Sequence, residues 1–313
     1  MIQLRGASVA VALLVDALFG EPPEAVHPAV LMGWLISRFE RRALVLGDVR
    51  QMRLAGLLLA VALPALSFGL ARTTLRLAPP KLRRPFEIGL LSTTLSMRGL
   101  ARAALTVERE LENGNLKAAR ARVGELVGRD TAHLSPSEIA RAAIESVAEN
   151  TSDGAVAPML YGLLWGAPGA LAYKATNTLD SMVGHPQPPY TDLGWASARL
   201  DDLANLVPAR LTVLSAAVSA RCATALTVAR RYGPLTRSPN AGWTEAAFAG
   251  ALDLKLGGAN SYGGVLRQGP NLGSGRRPET GDVRQAVRLM RRTCVLFAGL
   301  AVVVSLARGC QGG

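Results

Sequence analysis

The sequence predicts an all-α protein of the polytopic helical membrane type, with a cytoplasmic helical insertion and polar loops. Three observations lead there. Hydrophobic residues make up 49% of the chain and aromatics only 5%, so the apolar mass is Ala, Leu and Val. Small apolar side chains at that density suit close helix–helix packing. Two segments, 54–71 and 154–173, carry no charge, and each approaches the roughly 20 apolar residues that cross a bilayer as a helix. No strand-period alternation persists anywhere. The net charge is +12, with Arg far ahead of Lys. That balance suits an anionic membrane face or phosphate ligands. Neither a zinc spacing nor a basic stretch interleaved with aromatics is present, so no nucleic acid is expected. Cys222, Cys294 and Cys310 are odd in number and widely spaced, which implies neither a disulfide framework nor a metal cluster.

Residues 6–20 read as an apolar helix. Arg5 and the run after it resemble a signal peptide, but Asp16 interrupts the run and no small-residue cleavage site precedes Glu21. The helix is therefore expected to be retained. Pro22, Pro23 and Pro28 make a stiff, bent connection to residues 25–37, half a span in length. Residues 54–71 lie between Arg53 and Arg72, with Pro64 in their middle. Residues 85–153 read as a cytoplasmic helical region. It has apolar residues at helical spacing, a break at 113–115 and a stop at Gly128 and Asp130. Ser135, Pro136 and Glu138 then open a further helix as N-cap, first residue and first-turn acid. Residues 154–173 are interrupted by "GAPG" at 166–169. A break within lipid survives only where protein or water covers it, so one or both charge-free segments are expected to fold as re-entrant hairpins. Residues 203–220 reach span length but carry Arg210. Residues 221–292 read as a cytoplasmic loop, with 267–281 irregular. The last apolar run, 293–307, is short, but Arg292 and Arg308 can snorkel. Positive charge is tied across 54–71. Arg276, Arg277, Arg284, Arg288, Arg291 and Arg292 suggest that their loop faces the anionic cytoplasmic leaflet.

Four stretches combine acids with Asn. In "ESVAENTSDG", 145–154, Glu145 and Glu149 share a helix face. Asn150 to Gly154 are expected to leave the helix, with Asp153 aimed from the turn. In "YKATNTLDSMVG", 173–184, Lys174, Asn177 and Ser181 align, with Asp180 close by. In "ASARLDDLANLVPAR", 196–210, Arg199, Asp202 and Asn205 align, and Asp201 aligns with Asn205. The stretch 238–264 supplies Asn240, Glu245 and a glycine-rich loop holding Asn260 and Ser261. Singly, each stretch reads as capping or as polar glue between helices. Together, ionisable groups so near apolar segments point to function. Carboxylates beside Lys174 and Arg199 suit Mg²⁺ with phosphate, because Mg²⁺ takes one or two carboxylates plus phosphate oxygens. Glycines bring backbone N–H groups close to phosphate. None of the sequence motifs GxxxxGK[ST], GxGxxG or GxSxG is present. His27 stands alone, and His133 and His185 lack partners at ligand spacing.

These stretches resemble the CobD/CbiB family. "DALFGEPPEAVHPAVLMG" (16–33), "ARAAIESVAENTSDGAVAPMLY" (140–161), "AYKATNTLDSMVG" (172–184), "ASARLDDLANLVPARLT" (196–212) and "SPNAGWTEAAFAGAL…LGGANSYGG" (238–264) follow the family's blocks in order. The departures are small. "VGH" at 183–185 stands where an aromatic commonly follows the glycine, and Leu206 where Trp is common. The resemblance implies an adenosylcobinamide-phosphate synthase. Such an enzyme joins the free propionate of adenosylcobyric acid to (R)-1-aminopropan-2-ol O-phosphate, or to aminopropanol, with ATP and Mg²⁺. A carboxylate does not accept an amine at neutral pH, and phosphorylation to an acyl phosphate solves that. The implied roles follow. Glu145, Glu149 and Asp153 hold Mg²⁺ or act as base, with Asp180, Asp201 and Asp202 as further metal candidates. Lys174 and Arg199 neutralise phosphate. Asn150, Asn177, Ser181 and Asn205 orient phosphate or amide groups. Asn240, Glu245, Asn260, Ser261 and His27 line the substrate. ATP places the polar blocks on the cytoplasmic side of the cell membrane, where later nucleotide-loop assembly enzymes could take the product. The weighed alternatives are an AmpE-like membrane sensor and a corrinoid transporter. A transporter would show internal symmetry, and none is visible.

Overall fold

In a computed structural model of the chain, residues 5–310 are described, apart from Gly47 and Pro186. Helices dominate. In chain order they are α1 (Arg5–Phe19), α2 (Pro28–Ala43), α3 (Val49–Leu77), α4 (Arg83–Ser92), α5 (Met97–Glu112), α6 (Leu116–Gly124) and α7 (Pro136–Thr151). A π-helical turn, Ser152–Val156, joins α7 to α8 (Ala157–Trp165). Then come α9 (Ala167–Val183), α10 (Tyr190–Leu193), α11 (Trp195–Ala204), α12 (Leu206–Ala220), α13 (Thr224–Tyr232), α14 (Ala241–Leu252) and α15 (Thr280–Cys310). Between the last two lie β1 (Leu256–Gly257), β2 (Asn260–Tyr262), β3 (Val265–Arg267) and β4 (Asn271–Leu272).

The chain divides into two units. The first holds Met1–Ser96, Ala157–Asn205 and Ala298–Gly313; the second holds Met97–Val156 and Leu206–Phe297. In the first, α3 packs on α9, and α2 joins them. Met32, Ile36, Leu59, Leu63, Leu171, Leu179 and Val183 form the buried cluster between these helices. Gly56 lets α3 approach α10 closely, since a Cβ there would sit 2.0 Å from the Leu193 carbonyl oxygen. In the second unit, Val213, Ala229 and Ala247 bring α12, α13 and α14 together, with Trp243 against them.

Local signals hold well at the helix starts. Ser135 and Glu138 form a reciprocal capping box at α7, with Pro136 at the first position. The break at 113–115 turns on Gly114, whose φ is +70°. His27 caps α2, its Nδ1 accepting the Ala29 N–H at 3.1 Å.

Other expectations are corrected. Pro64 does not divide its segment, because α3 runs unbroken through it for 29 residues, so the re-entrant reading fails there. In residues 154–173, by contrast, the break expected at 166–169 is present. Gly166, at φ +73°, ends α8, and α9 folds back on it, so that the Tyr161 and Tyr173 rings stack 5.1 Å apart. Residues 150–154 stay helical and widen into the π turn, a feature often found at functional sites. The 267–281 stretch is not wholly irregular: Leu272 and Asn271 pair with Leu256 and Gly257. Inside that pairing β2 and β3 form a hairpin over Gly263 and Gly264, both at positive φ as a two-residue turn requires.

Among the described residues, two helices are long and apolar enough to cross a membrane, Val49–Leu77 and Thr280–Ala307. α11 and α12 reach that standard only taken together, across a break. Of residues 25–37, those from Pro28 onward belong to α2, which does not reach it. α11 carries Arg199, Asp201 and Asp202, too much charge for hydrocarbon.

Candidate functional site

The polar residues singled out in the sequence fall into two groups, one in each unit. The second unit carries a half-open cavity of about 230 Å³ lined by Arg129, Glu145, Glu149, Glu245, Gly257 and Asn260, among others. Helix α7 contributes Arg141, Glu145 and Glu149 at four-residue spacing, one stripe of the helix. Glu145 has both oxygens engaged. Arg129 Nη2 lies 2.6 Å from Oε2, and the Gly257 N–H donates to Oε1 at 2.7 Å. The pair is withdrawn from solvent, at 5% and 10% side-chain exposure. Arg141 donates to the Gly257 carbonyl, to the Ala259 carbonyl at 3.0 Å and to Asn260 Oδ1 at 2.8 Å. Arg129 also donates to Asn260 Oδ1. The two arginines thus clamp the glycine-rich loop onto α7. The Nε atoms of Arg129 and Arg141 are buried without a hydrogen-bond acceptor, which fits a site that takes an anionic oxygen.

Glu245, on α14, is half-buried and lines this cavity. Burial first, then Glu145 and Glu149, raise its pKa well above the usual carboxylate range, against the pull of Arg129 and Arg141. The upward shift favours its protonated form, the form that can donate a hydrogen bond. A cavity this small lies below the roughly 300–1,000 Å³ of pockets for drug-sized ligands. It suits a small amine or a single carboxylate arm rather than a whole macrocycle.

The first unit joins α9 to α11. Asn205 donates to Asp201 Oδ2 at 3.0 Å and Asn177 reaches Oδ1 at 3.5 Å. The Tyr173 hydroxyl donates to Asn205 Oδ1 at 2.8 Å, so Asn205, 1% exposed, is fixed at both ends of its amide. Burial, and then the charge of Asp180, push Asp201 up to about 7. Asp180 is raised by burial and by Asp202; Asp202 is raised by burial, opposed by Arg199, whose Nη1 lies 3.3 Å from it. Three carboxylates thus act on one another beside Arg199. Among the described residues no three His, Cys, Asp or Glu side chains form a metal cage on their own. Mutual repulsion here is what a divalent cation relieves, and one or two carboxylates suffice for Mg²⁺ that is also bound to phosphate. The residues present fit that ion.

Several expected residues have local partners instead. The Asn150 amide donates to the Ser146 carbonyl at 3.0 Å, and Ser181 Oγ to the Asn177 carbonyl at 2.9 Å. Ser261 Oγ donates to Asp130 at 2.6 Å, and Asp130 also accepts from the Gly263 and Gly264 N–H groups. Ser261 therefore anchors the β2–β3 turn. Asn240 accepts from Arg210 at 2.7 Å and lies outside the cavity lining. Asp153 sits in the π turn, half-buried. Sequence reading missed Arg129, Arg141 and Tyr173. Arg141 was within reach, four residues before Glu145; the other two are brought in only by tertiary contacts.

A family model described as CobD/Cbib protein matches residues 9–290. The cobalamin biosynthesis protein CobD of Chromobacterium violaceum is 41% identical over 303 residues, covering 96% of each chain. The CobD protein of Geobacter metallireducens is 43% identical over 313 residues, again 96% of each. The cobalamin biosynthesis protein CbiB of Salmonella typhimurium is 39% identical over 313 residues, 96% of this chain and 97% of its own. No solved structure matches.

Proposed function

This chain belongs to the CobD/CbiB protein family, and on that premise we propose that it acts in cobalamin biosynthesis as an ATP-dependent amide ligase. Its substrates are the free propionate of adenosylcobyric acid and (R)-1-aminopropan-2-ol O-phosphate, or the unphosphorylated amine. The observation that carries this reading is a coincidence of sequence and place. Three of the blocks that resemble the family, at 140–161, 172–184 and 196–212, and the block at 238–264, supply nearly all the charged groups of the two sites.

ATP with Mg²⁺ supplies the phosphoryl group that turns a carboxylate oxygen into a leaving group. The chain's own residues do the rest. One or two of Asp180, Asp201 and Asp202 would hold the cation, and Lys174 and Arg199 would balance phosphate charge. Arg129 has a buried donor to spare and orients an anionic oxygen in the cavity. Glu145 positions Arg129 and Gly257. Glu149 lines the same cavity and takes the proton that the amine must lose before it attacks. Glu245, whose surroundings favour its protonated form, is placed to donate a hydrogen bond to the substrate. The polar sites face the cytoplasm, where ATP is available, and α3 and α15 cross the membrane.

The test is product formation by the purified, detergent-solubilised chain with adenosylcobyric acid, ATP, Mg²⁺ and the amine with and without its phosphate. An amide product with matching ADP release is expected. Glu149→Gln and Lys174→Met are each expected to lower turnover at least ~10²-fold. Folded protein that makes no product, with every component shown competent, would overturn the ligase. Near-normal turnover in either variant would remove that residue from its role.

A further inference from the structure

The first unit carries a second cavity, of about 490 Å³, on which Arg5, Arg72, Arg76, Arg83 and Arg84 converge with Glu87 and Trp165. Five guanidiniums face one carboxylate. Two of the five have structural work: Arg83 donates to the Ala78 carbonyl at 3.1 Å and to the Arg76 carbonyl at 3.3 Å, and Arg5 donates to the Leu164 carbonyl. Arg72, Arg76 and Arg84 are exposed, and among the described residues no hydrogen bond or ion pair occupies them. Like charges gathered this closely repel unless an anion sits among them.

The position of the cluster identifies the anion. Arg72 and Arg76 stand where the charge-free stretch of α3 ends. Leu54, Leu58 and Val61 precede them on the same helical stripe, each at least 60% exposed. Beyond the arginines Leu77 is 81% exposed, Leu82 and Phe86 lie open, and Trp165 at the cavity is 52% exposed. An apolar runway thus leads into a guanidinium cluster with an indole at the junction, the side chain favoured at a membrane–water interface. A soluble phosphate compound has no use for the runway.

We propose that this pocket binds the phosphate of an anionic phospholipid whose acyl chains lie along the exposed face of α3. Guanidinium groups can grip that phosphate through paired N–H donors. The bound lipid offsets the charge that the arginines would otherwise accumulate at the end of the helix.

The test uses the full chain, extracted from nanodiscs made of equal parts phosphatidylglycerol and phosphatidylcholine, with retained lipid counted by native mass spectrometry. The wild-type chain is expected to retain phosphatidylglycerol at least ~5-fold over phosphatidylcholine. R72Q/R76Q/R84Q is expected to lose that preference, and R72K/R76K/R84K to keep most of it. R102Q/R109Q/K117Q removes equal charge from exposed positions on α5 and α6 and is expected to keep it. An unchanged preference in the first variant, or an equal loss in the last, would overturn the proposal. So would displacement of the lipid by submillimolar glycerol phosphate, which would assign the pocket to a soluble phosphate. A photoactivatable phosphatidylglycerol needs no variant. It is expected to label wild-type peptides spanning 72–86 or Trp165, and labelling confined to other peptides would also overturn the proposal.

Discussion

Glu145 has one oxygen on Arg129 and the other on the Gly257 N–H, so its loss strands a buried guanidinium. Breaking a buried pair by removing one partner costs about 3–5 kcal/mol. Glu145→Ala and Arg129→Met are each expected to lose stability on that scale. Their combination should lose less than the sum, because the stranded charge disappears. Thermal or denaturant unfolding in detergent checks this, and strict additivity would show that the two do not act as a pair. Asp201 answers to pH instead. Its folded-state pKa of about 7 lies above the ordinary carboxylate value of about 4, so the folded chain holds the proton more tightly than the unfolded chain. Its contribution to stability is full below about pH 4, falls as pH rises to about 7, and levels off above. Asp201→Asn is expected to flatten that slope, by on the order of 1–3 kcal/mol. Mg²⁺ is expected to stabilise wild type more above pH 7 than below, and the variant little at either pH. Melting curves across this range decide it; an unchanged slope would place the titration on another group.

At the scale of elements, α3 makes the sharpest claim. Its 29 residues span about 43 Å at 1.5 Å per residue, more than the roughly 30 Å hydrocarbon core. Cysteines placed at Arg53 and Arg72 are therefore expected to react with impermeant reagent from opposite sides of the membrane. Reaction from one side would restore the hairpin that Pro64 suggested. That proline shows where sequence reading fails. A proline removes one helical hydrogen bond, but continuous packing of α3 on α9 can hold the helix together. The π turn was unreadable for a related reason: Ser152–Val156 sits against α12, and its wider winding accommodates that neighbour. What was legible was local. The Ser135–Glu138 box and the break at Gly114 need only adjacent residues. The helical period placed Glu145 with Glu149 and Lys174 with Asn177. Arg129 comes from the connection between α6 and α7, and no spacing along the chain announces it beside Glu145.

At the scale of the whole molecule, the first and last described helices meet. The Gly6 N–H donates to Ser305 Oγ at 3.0 Å, and a Cβ on Gly6 would lie 2.3 Å from the Ala301 carbonyl oxygen. Small residues at positions 6, 301 and 305 permit that approach. Gly6→Leu is expected to force α1 off α15 and to cost at least ~2 kcal/mol. A parallel Gly69→Leu, with open space around it, should cost less than ~1 kcal/mol. Equal losses would mean that glycine flexibility, and not the contact, sets the effect. The contact also has a history in time. α1 is synthesised long before the end of α15, yet both belong to the same unit. The second unit has all its segments once residue 297 has emerged, while the first still waits for its closing turns. α1 thus has α4 to pack against from early in synthesis, whereas its fit to α15 through Gly6 closes only once Ser305 has been made.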